Sequence, residues 1–304
     1  MTLQNKQCQA FLAVLQYGSF EVAAQKLCIS ASAVSLRVQS LEKSLAQILI
    51  LRERPCRATA IGLELAQHLQ QMQRIEESFL YQLAAKQQQQ NFYSVRIASH
   101  ADSLATWLLP ALSPILTAQK LLLDIQIKDQ TQTHQLLESG QVNACISTET
   151  QAMQGCVAVK LGILRYRLVA SPAFAQKWFA HGVKRQSLQS APAIIFDRHD
   201  QMHRELLQQQ FGLFANSYPY HHIPSAHEFL NSIVYGFGYG LVPELQMQDY
   251  IQRGELIYLA EDSIQPIDLV LYWHHWKQQA PILQTLSQAL QQQAQAYLRP
   301  IKQK

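Results

Sequence analysis

Apolar positions in the stretch "FEVAAQKLCISASAVSLRVQSLE", residues 20–42, recur at intervals of three and four in two runs interrupted by "CIS". That spacing predicts a helix through "EVAAQKL", a three-residue turn, and a second helix from about Ala31 to Ser44. Gly18 and Ser19 end a preceding helix and cap the next, with Glu21 near the positive end of its dipole. In the later helix Val34, Val38, Leu41 and Leu45 share one face, which must be buried. The opposite face carries Ser32, Ser35, Leu36, Gln39 and Lys43, far plainer than the mixed charge of an ordinary surface helix.

Further along, "ILILRERPCRATAIG" reads as an apolar strand, a basic tip and a return, a β-wing with Arg52, Arg54 and Arg57 at its tip. Residues 62–86 then form one long helical pattern with Leu65, Leu69, Met72, Phe79 and Leu83 along a stripe suited to a partner helix. "KQQQQN" ends it in a polar hinge. From Phe92 onward, strand patterns such as "SVRIAS", "LLLDIQI", "ACIS", "YRLVAS", "AIIFD" and "IDLVLYWH" alternate with helical ones. Such alternation predicts an α/β body with mainly parallel sheets and crossovers, large enough for two lobes. No internal repeat is visible.

Charge sharpens this division. Residues 1–60 hold seven Lys/Arg and three acids, whereas the remaining residues hold 18 of each sign. All of the net +4 charge therefore sits in the first fifth of the chain, which suggests a polyanion partner for that module alone. A helix entering a groove about 12 Å wide cannot carry bulky, rigid side chains on its leading face. Serine and glutamine there can hydrogen-bond phosphates or base edges, Lys43 neutralises a phosphate and Leu36 meets a thymine methyl. Arg37 joins this set, and the wing arginines face the phosphate backbone. The competing reading is a helical hairpin that merely packs on another domain; the basic wing and the charge asymmetry favour duplex DNA.

The composition, 48 % hydrophobic, supplies real cores, and no apolar run approaches the roughly 18 residues of a membrane span. No secretory signal is evident at the N-terminus. Cys8, Cys28, Cys56, Cys145 and Cys156 are odd in number with no C-x-x-C pair, which fits reduced thiols in a cytoplasmic protein, redox sensing by one of them remaining open. His199 and His203 stand four apart, a spacing that can hold a metal, but no Glu follows the first, so structural histidines are expected and no metal. "GFGYG" (Gly236–Gly240) follows a helix and precedes a strand, the reverse of a dinucleotide loop, and reads as a tight turn. No nucleophile–base pairing stands out, which argues against an enzyme.

"FEVAAQKLCISASAVSLRVQSLEKSL…LLR" followed by Thr59 and Gly62 in T-x-x-G resembles the LysR-type transcriptional regulators. The resemblance covers the whole chain. It implies a winged helix-turn-helix, mainly α, over residues 1–60, and a linker and dimerisation helix with its hinge over 61–91. Residues 92–304 would form an α/β, two-lobed, periplasmic-binding-protein-like effector domain, with lobe I at 92–162 and 268–304 and lobe II at 163–267. "ADSLATWLLPAL", "LGILRYRLVAS", "FDRHDQMH" and "LYWH" look like the lysine- and arginine-responsive branch of that family. The branch implies L-lysine or L-arginine as effector with no cofactor, and an activator of a basic amino acid exporter gene. Its partners would be duplex DNA and further copies of itself as dimer or tetramer, with RNA polymerase a further candidate and no membrane. Two departures concern the DNA-binding part: the family often has glutamine or proline near Leu36, and "G-x-P-L-F" where this chain has Ala46–Ile50.

In a two-lobed α/β domain a ligand sits in the crevice at strand carboxyl ends. A helix starting near Ser103 offers free N–H groups and a hydroxyl to an α-carboxylate, and the family position of Ser103 also puts it at the effector. The second strand ends at Asp129, followed by Gln130 and Thr131; in the other lobe "IIFD" ends at Asp197, and Ser225 to Glu228 open a helix. A cationic amino acid needs carboxylates, so Asp129, Asp197 and Glu228 are the candidates, with Asp102 in reserve. Taken singly, each is better read as a helix cap or surface acid. The rival functions are the same scaffold with a different small amino acid or carboxylate as effector, an exported solute-binding protein, and a metal-dependent enzyme.

Overall fold

The computed structural model describes residues 5–86, 92–128, 132–198, 200–260 and 263–301. Three helices open the chain: α1 (Asn5–Tyr17), α2 (Phe20–Lys26) and α3 (Ala31–Leu45). The Ser19 hydroxyl accepts from the Val22 N–H and the Ser30 hydroxyl from the Ala33 N–H, so each later helix starts where a cap stands. Val34, Val38 and Leu41 are fully buried against Phe11, Val14 and Ala23, each contributing about 1.5–3 kcal/mol. Leu45, at the end of the stripe, is half-buried.

The wing is a two-residue ladder, β1 (Ile50–Leu51) against β2 (Arg57–Ala58). Glu42 anchors it, its Oε1 accepting from the Leu49 and Ile50 N–H groups at 2.9 and 3.3 Å. The Thr59 hydroxyl donates to the Ile48 carbonyl and accepts from the Gly62 N–H. A Cβ on Gly62 would stand 2.1 Å from the Leu49 carbonyl oxygen, so T-x-x-G is a stitch between wing and next helix that only glycine permits. That helix, α4 (Ala60–Lys86), is 27 residues long. Its predicted stripe divides: Leu65 and Leu69 pack on the winged domain, while Met72, Phe79 and Leu83 are exposed together with Ile75.

In the body, β3 (Tyr93–Ser99), β4 (Leu121–Ile127) and β5 (Ala144–Ser147) pair in parallel, as alternation predicts. The connecting helix between β3 and β4 runs as α5 (Ala101–Ser103), a π-turn over Leu104–Leu108 and α6 (Leu109–Ala118). After α7 (Thr133–Glu138), β6 (Cys156–Ala170) is 15 residues long and passes through both lobes. From Cys156 to Tyr166 it pairs antiparallel with β11 (Ile267–Trp276), and its far end pairs antiparallel with β9 (Gly240–Pro243) and β10 (Ile257–Tyr258). The sheets are therefore mixed, not mainly parallel, because the two long strands that join the lobes run against each other and β11 also runs against β5.

The second lobe holds α8 (Pro172–Trp178), α9 (Arg185–Ser190), α10 (Gln201–Phe211), α11 (Ala226–Val234) and α12 (Glu244–Gln252) around the parallel pair β7 (Ala193–Ile195) and β8 (Tyr220–His222). The turn after α11, with Gly236 at φ +78°, leads into β9 as read from "GFGYG". The last helix, α13 (Pro281–Ala294), packs on α6 in the first lobe. Where β6 passes between lobes its register with β11 slips by one residue at Leu271/Tyr272, and the chain's tail pairs there through Ile163 and Arg299. Glu244 clasps the crossing: Arg167 Nε donates to its Oε1 at 2.6 Å and Arg299 to its Oε2 at 2.5 Å.

Candidate functional site

Two surfaces qualify. On the winged domain, Ser32, Leu36, Gln39 and Lys43 are exposed along α3, and Ser35 and Arg37 are half-buried on its flanks. Leu36 is 65 % exposed, a large apolar side chain on an otherwise polar face. Arg52 lies over the Phe20 ring at 5.1 Å, which holds its guanidinium beside the start of α2. Arg54 is exposed at the wing tip. Arg57, on the returning strand, lines the groove between the winged domain and the body. The face is thus a short-side-chain ridge flanked by cations, suited to a duplex groove and its phosphates.

The second surface is a cavity of about 310 Å³ between the lobes, within the size range of small-ligand sites. It opens where β3, β4, β6 and β9 present their ends, and three carboxylates line it: Asp102, Asp197 and Asp200. Among the described residues Lys128 is the one lysine or arginine in the lining, beside amides such as Gln132 and Gln246. Asp200 caps α10: its carboxylate accepts from the His203 and Phe196 N–H groups, both at 3.2 Å. Tyr166, on β6, donates its hydroxyl to Asp102 Oδ2 at 2.7 Å. Burial pushes the Asp102 carboxyl up to about 6, with the Tyr166 hydrogen bond pulling the other way and the charge of Asp200 adding to the rise. Burial, with Asp102 beside it, raises the Tyr166 phenol, which therefore remains a hydrogen-bond donor.

The structure sorts the predicted effector residues. Asp197 and Asp102 line the cavity. Ser103 does not: it is fully buried, its hydroxyl accepting from Trp107 Nε1 at 2.8 Å and pairing with His100 Nε2 at 3.0 Å. The helix turns Asp102 rather than Ser103 toward the ligand space. Ser225 and Glu228 also stand outside the lining, both exposed, because α11 points Phe229, Leu230 and Ile233 inward and its first turn outward. Asp129, Gln130 and Thr131 lie outside the described residues, though Lys128 and Gln132 on either side line the cavity. Asp200 and Tyr166 are not singled out by the sequence pattern. For Asp200 a signal existed, since an aspartate just ahead of a helical run is an N-cap.

His203 is buried against Tyr218 and Tyr239, its ring nitrogens have no hydrogen-bond partner, and burial pushes it down to about 4. It acts as a packed aromatic; His199 lies outside the described residues. Among the described residues no three potential ligands cluster as a metal site, and no helix is long and apolar enough to cross a membrane.

A basic helix-turn-helix joined by a long helix to a body with a ligand-sized cleft is the plan of a ligand-responsive DNA-binding regulator. Residues 5–63 match the bacterial regulatory helix-turn-helix protein, lysR family, and residues 88–295 match the LysR substrate binding domain. The HTH-type transcriptional regulator ArgP of Photobacterium profundum is 42 % identical over 288 residues, 94 % of this chain and 95 % of that protein. ArgP of Proteus mirabilis is 41 % identical, covering 93 % of each. Among solved structures, ArgP from Mycobacterium tuberculosis superposes with a TM-score of 0.81 at 30 % identity, covering 99 % of this chain and all of that one. Full-length LysG from Corynebacterium glutamicum with bound effector Arg gives 0.77 at 30 % identity, covering 98 % of this chain and all of that one. The chain belongs to the LysR family of transcriptional regulators, which are not enzymes.

Proposed function

We propose that this protein is a cytoplasmic, DNA-binding transcriptional regulator modulated by L-lysine or L-arginine, and that it activates a basic amino acid exporter gene. The observation that carries the effector reading is the lining of the inter-lobe cavity, which among the described residues holds three carboxylates and a single ammonium. A cationic side chain with its own α-amino group matches that excess of negative charge, and Lys128 in the same lining supplies a cation for the α-carboxylate. The LysG structure with bound arginine supports the same chemistry.

The exposed stripe of Met72, Ile75, Phe79 and Leu83 on α4 suits a second copy, so dimers form through these helices and two dimers assemble into a tetramer. Paired α3 faces then meet spaced half-sites in duplex DNA. Effector binding favours one arrangement of the lobes, and a coupling of about 1–3 kcal/mol passes that preference to the DNA-bound state. Calorimetric titration of L-arginine and L-lysine into the parent, Asp102→Asn, Asp197→Ala and Asp200→Asn proteins tests the reading. Saturable binding that weakens at least tenfold in the Asp200 variant is expected. Equal affinity across all four proteins, or tighter binding of L-glutamate, defeats it.

A further inference from the structure

A second cavity, of about 530 Å³, lies where the winged domain meets the first lobe. Its lining draws Lys26 from the end of α2, Arg57 from β2 and Arg96 from β3, and among the described residues contains no carboxylate. None of these three cations has an ion pair among the described residues. Asp124 is the neighbour of Arg96 in register on β4, yet no salt bridge joins them. Arg96 is half-buried on a central strand, where an uncompensated guanidinium is costly.

Contacts across the junction keep these like charges together. The Gln70 side-chain amide donates to the Ser139 carbonyl, and Gln71 Nε2 donates to Gln278 Oε1 at 3.0 Å. A Cβ on Gly140 would collide with the Gln70 side chain, so α4 sits directly on the loop after α7. Cations from two domains therefore line one groove, Lys26 also lying over the Tyr17 ring at 5.8 Å, and an anion there would offset their shared charge. We infer that this groove is a binding site for a small phosphate-bearing anion, distinct from the inter-lobe cavity, which ties the winged domain to the first lobe through Lys26, Arg57 and Arg96. Three cations lining one groove favour a multivalent oxyanion over a monovalent carboxylate, and the volume accommodates more than a bare phosphate.

Inorganic pyrophosphate is the probe. Titrated calorimetrically into the full chain without DNA, it binds saturably at one site per protomer, and Arg96→Gln weakens it at least tenfold. Lys26→Gln gives an independent reading, since its side chain is exposed at a helix end. Duplex affinity of Arg96→Gln, measured by fluorescence anisotropy without pyrophosphate, stays at the parent value if the ligand is a free anion. If the phosphate is instead that of the DNA backbone, the same variant loses duplex affinity and pyrophosphate competes with duplex; the groove still takes phosphate, from DNA. The inference is overturned if pyrophosphate binds the parent and both variants equally. It is also overturned if the parent shows no saturable binding and Arg96→Gln leaves duplex affinity intact. L-Arginine binding in the same samples reports separately on the inter-lobe cavity.

Discussion

Replacing Asp102 with Asn removes a carboxyl whose pKa the cavity raises from 3.8 to about 6, while leaving an oxygen to accept the Tyr166 hydroxyl. Every pH unit by which the fold lifts a carboxyl above its ordinary value corresponds to about 1.4 kcal/mol, so ionised Asp102 weakens the unliganded fold by roughly 3 kcal/mol at neutral pH. The sign follows from a folded-state pKa above the unfolded one. The favourable contribution of the protonated acid is complete below 3.8 and is lost as pH rises through about 6. Asp102→Asn escapes that loss. Its advantage over the parent is absent near pH 3.5, grows between about 4 and 6 and levels off above, at up to roughly 3 kcal/mol. Urea unfolding of the effector body, followed by the fluorescence of buried Trp107 and Trp273 across this range, measures it. The same substitution weakens L-arginine binding, so stability and affinity move in opposite directions. A variant that is less stable at neutral pH, or a stability difference that ignores pH, would refute the electrostatic account of the cavity.

Ala46 ends α3 with φ at +53°, so Ala46→Gly relieves left-handed strain and stabilises the winged domain by about 0.5–1 kcal/mol, seen as a higher Tm. Arg54→Ala at the wing tip lowers duplex affinity and reduces the slope of log affinity against log salt by about one. Phe79→Glu on the exposed stripe of α4 shifts sedimentation toward smaller species while leaving the far-ultraviolet circular dichroism intact. Glu244→Ala removes the acceptor that Arg167 and Arg299 share at the crossing between lobes and costs about 1–3 kcal/mol in urea unfolding, with Glu244→Gln losing less.

Elements that obey a single local rule are legible in the sequence. "LLLDIQI" and "ACIS" are β4 and β5 as read, the cap at Ser19 marks α2, and α3 starts at Ala31 as the turn "CIS" predicts. Strand β6 shows in the pattern only at its "YRLVAS" end, because the register slip opposite Leu271/Tyr272 and the flanking charges break the alternation before it. The direction of the long strands is a tertiary property that alternation does not encode, hence the antiparallel pairs. Candidate-site residues follow the same logic. Strand-end position points to Asp197, but the helical phase that turns Asp102 inward and Ser103 into the Trp107–His100 network depends on packing around the π-turn. Arg57 reads as a wing cation by spacing, and the fold aims it at the junction with the body.

Footprinting the purified full chain on DNA upstream of its own and neighbouring genes, with and without L-arginine or L-lysine, tests the central claim most directly. The account predicts a protected region whose extent changes with the basic amino acid in the parent and stays fixed in Asp200→Asn. Failure to hold any duplex at low ionic strength, or protection that L-arginine and L-lysine leave untouched in the parent, would contradict it.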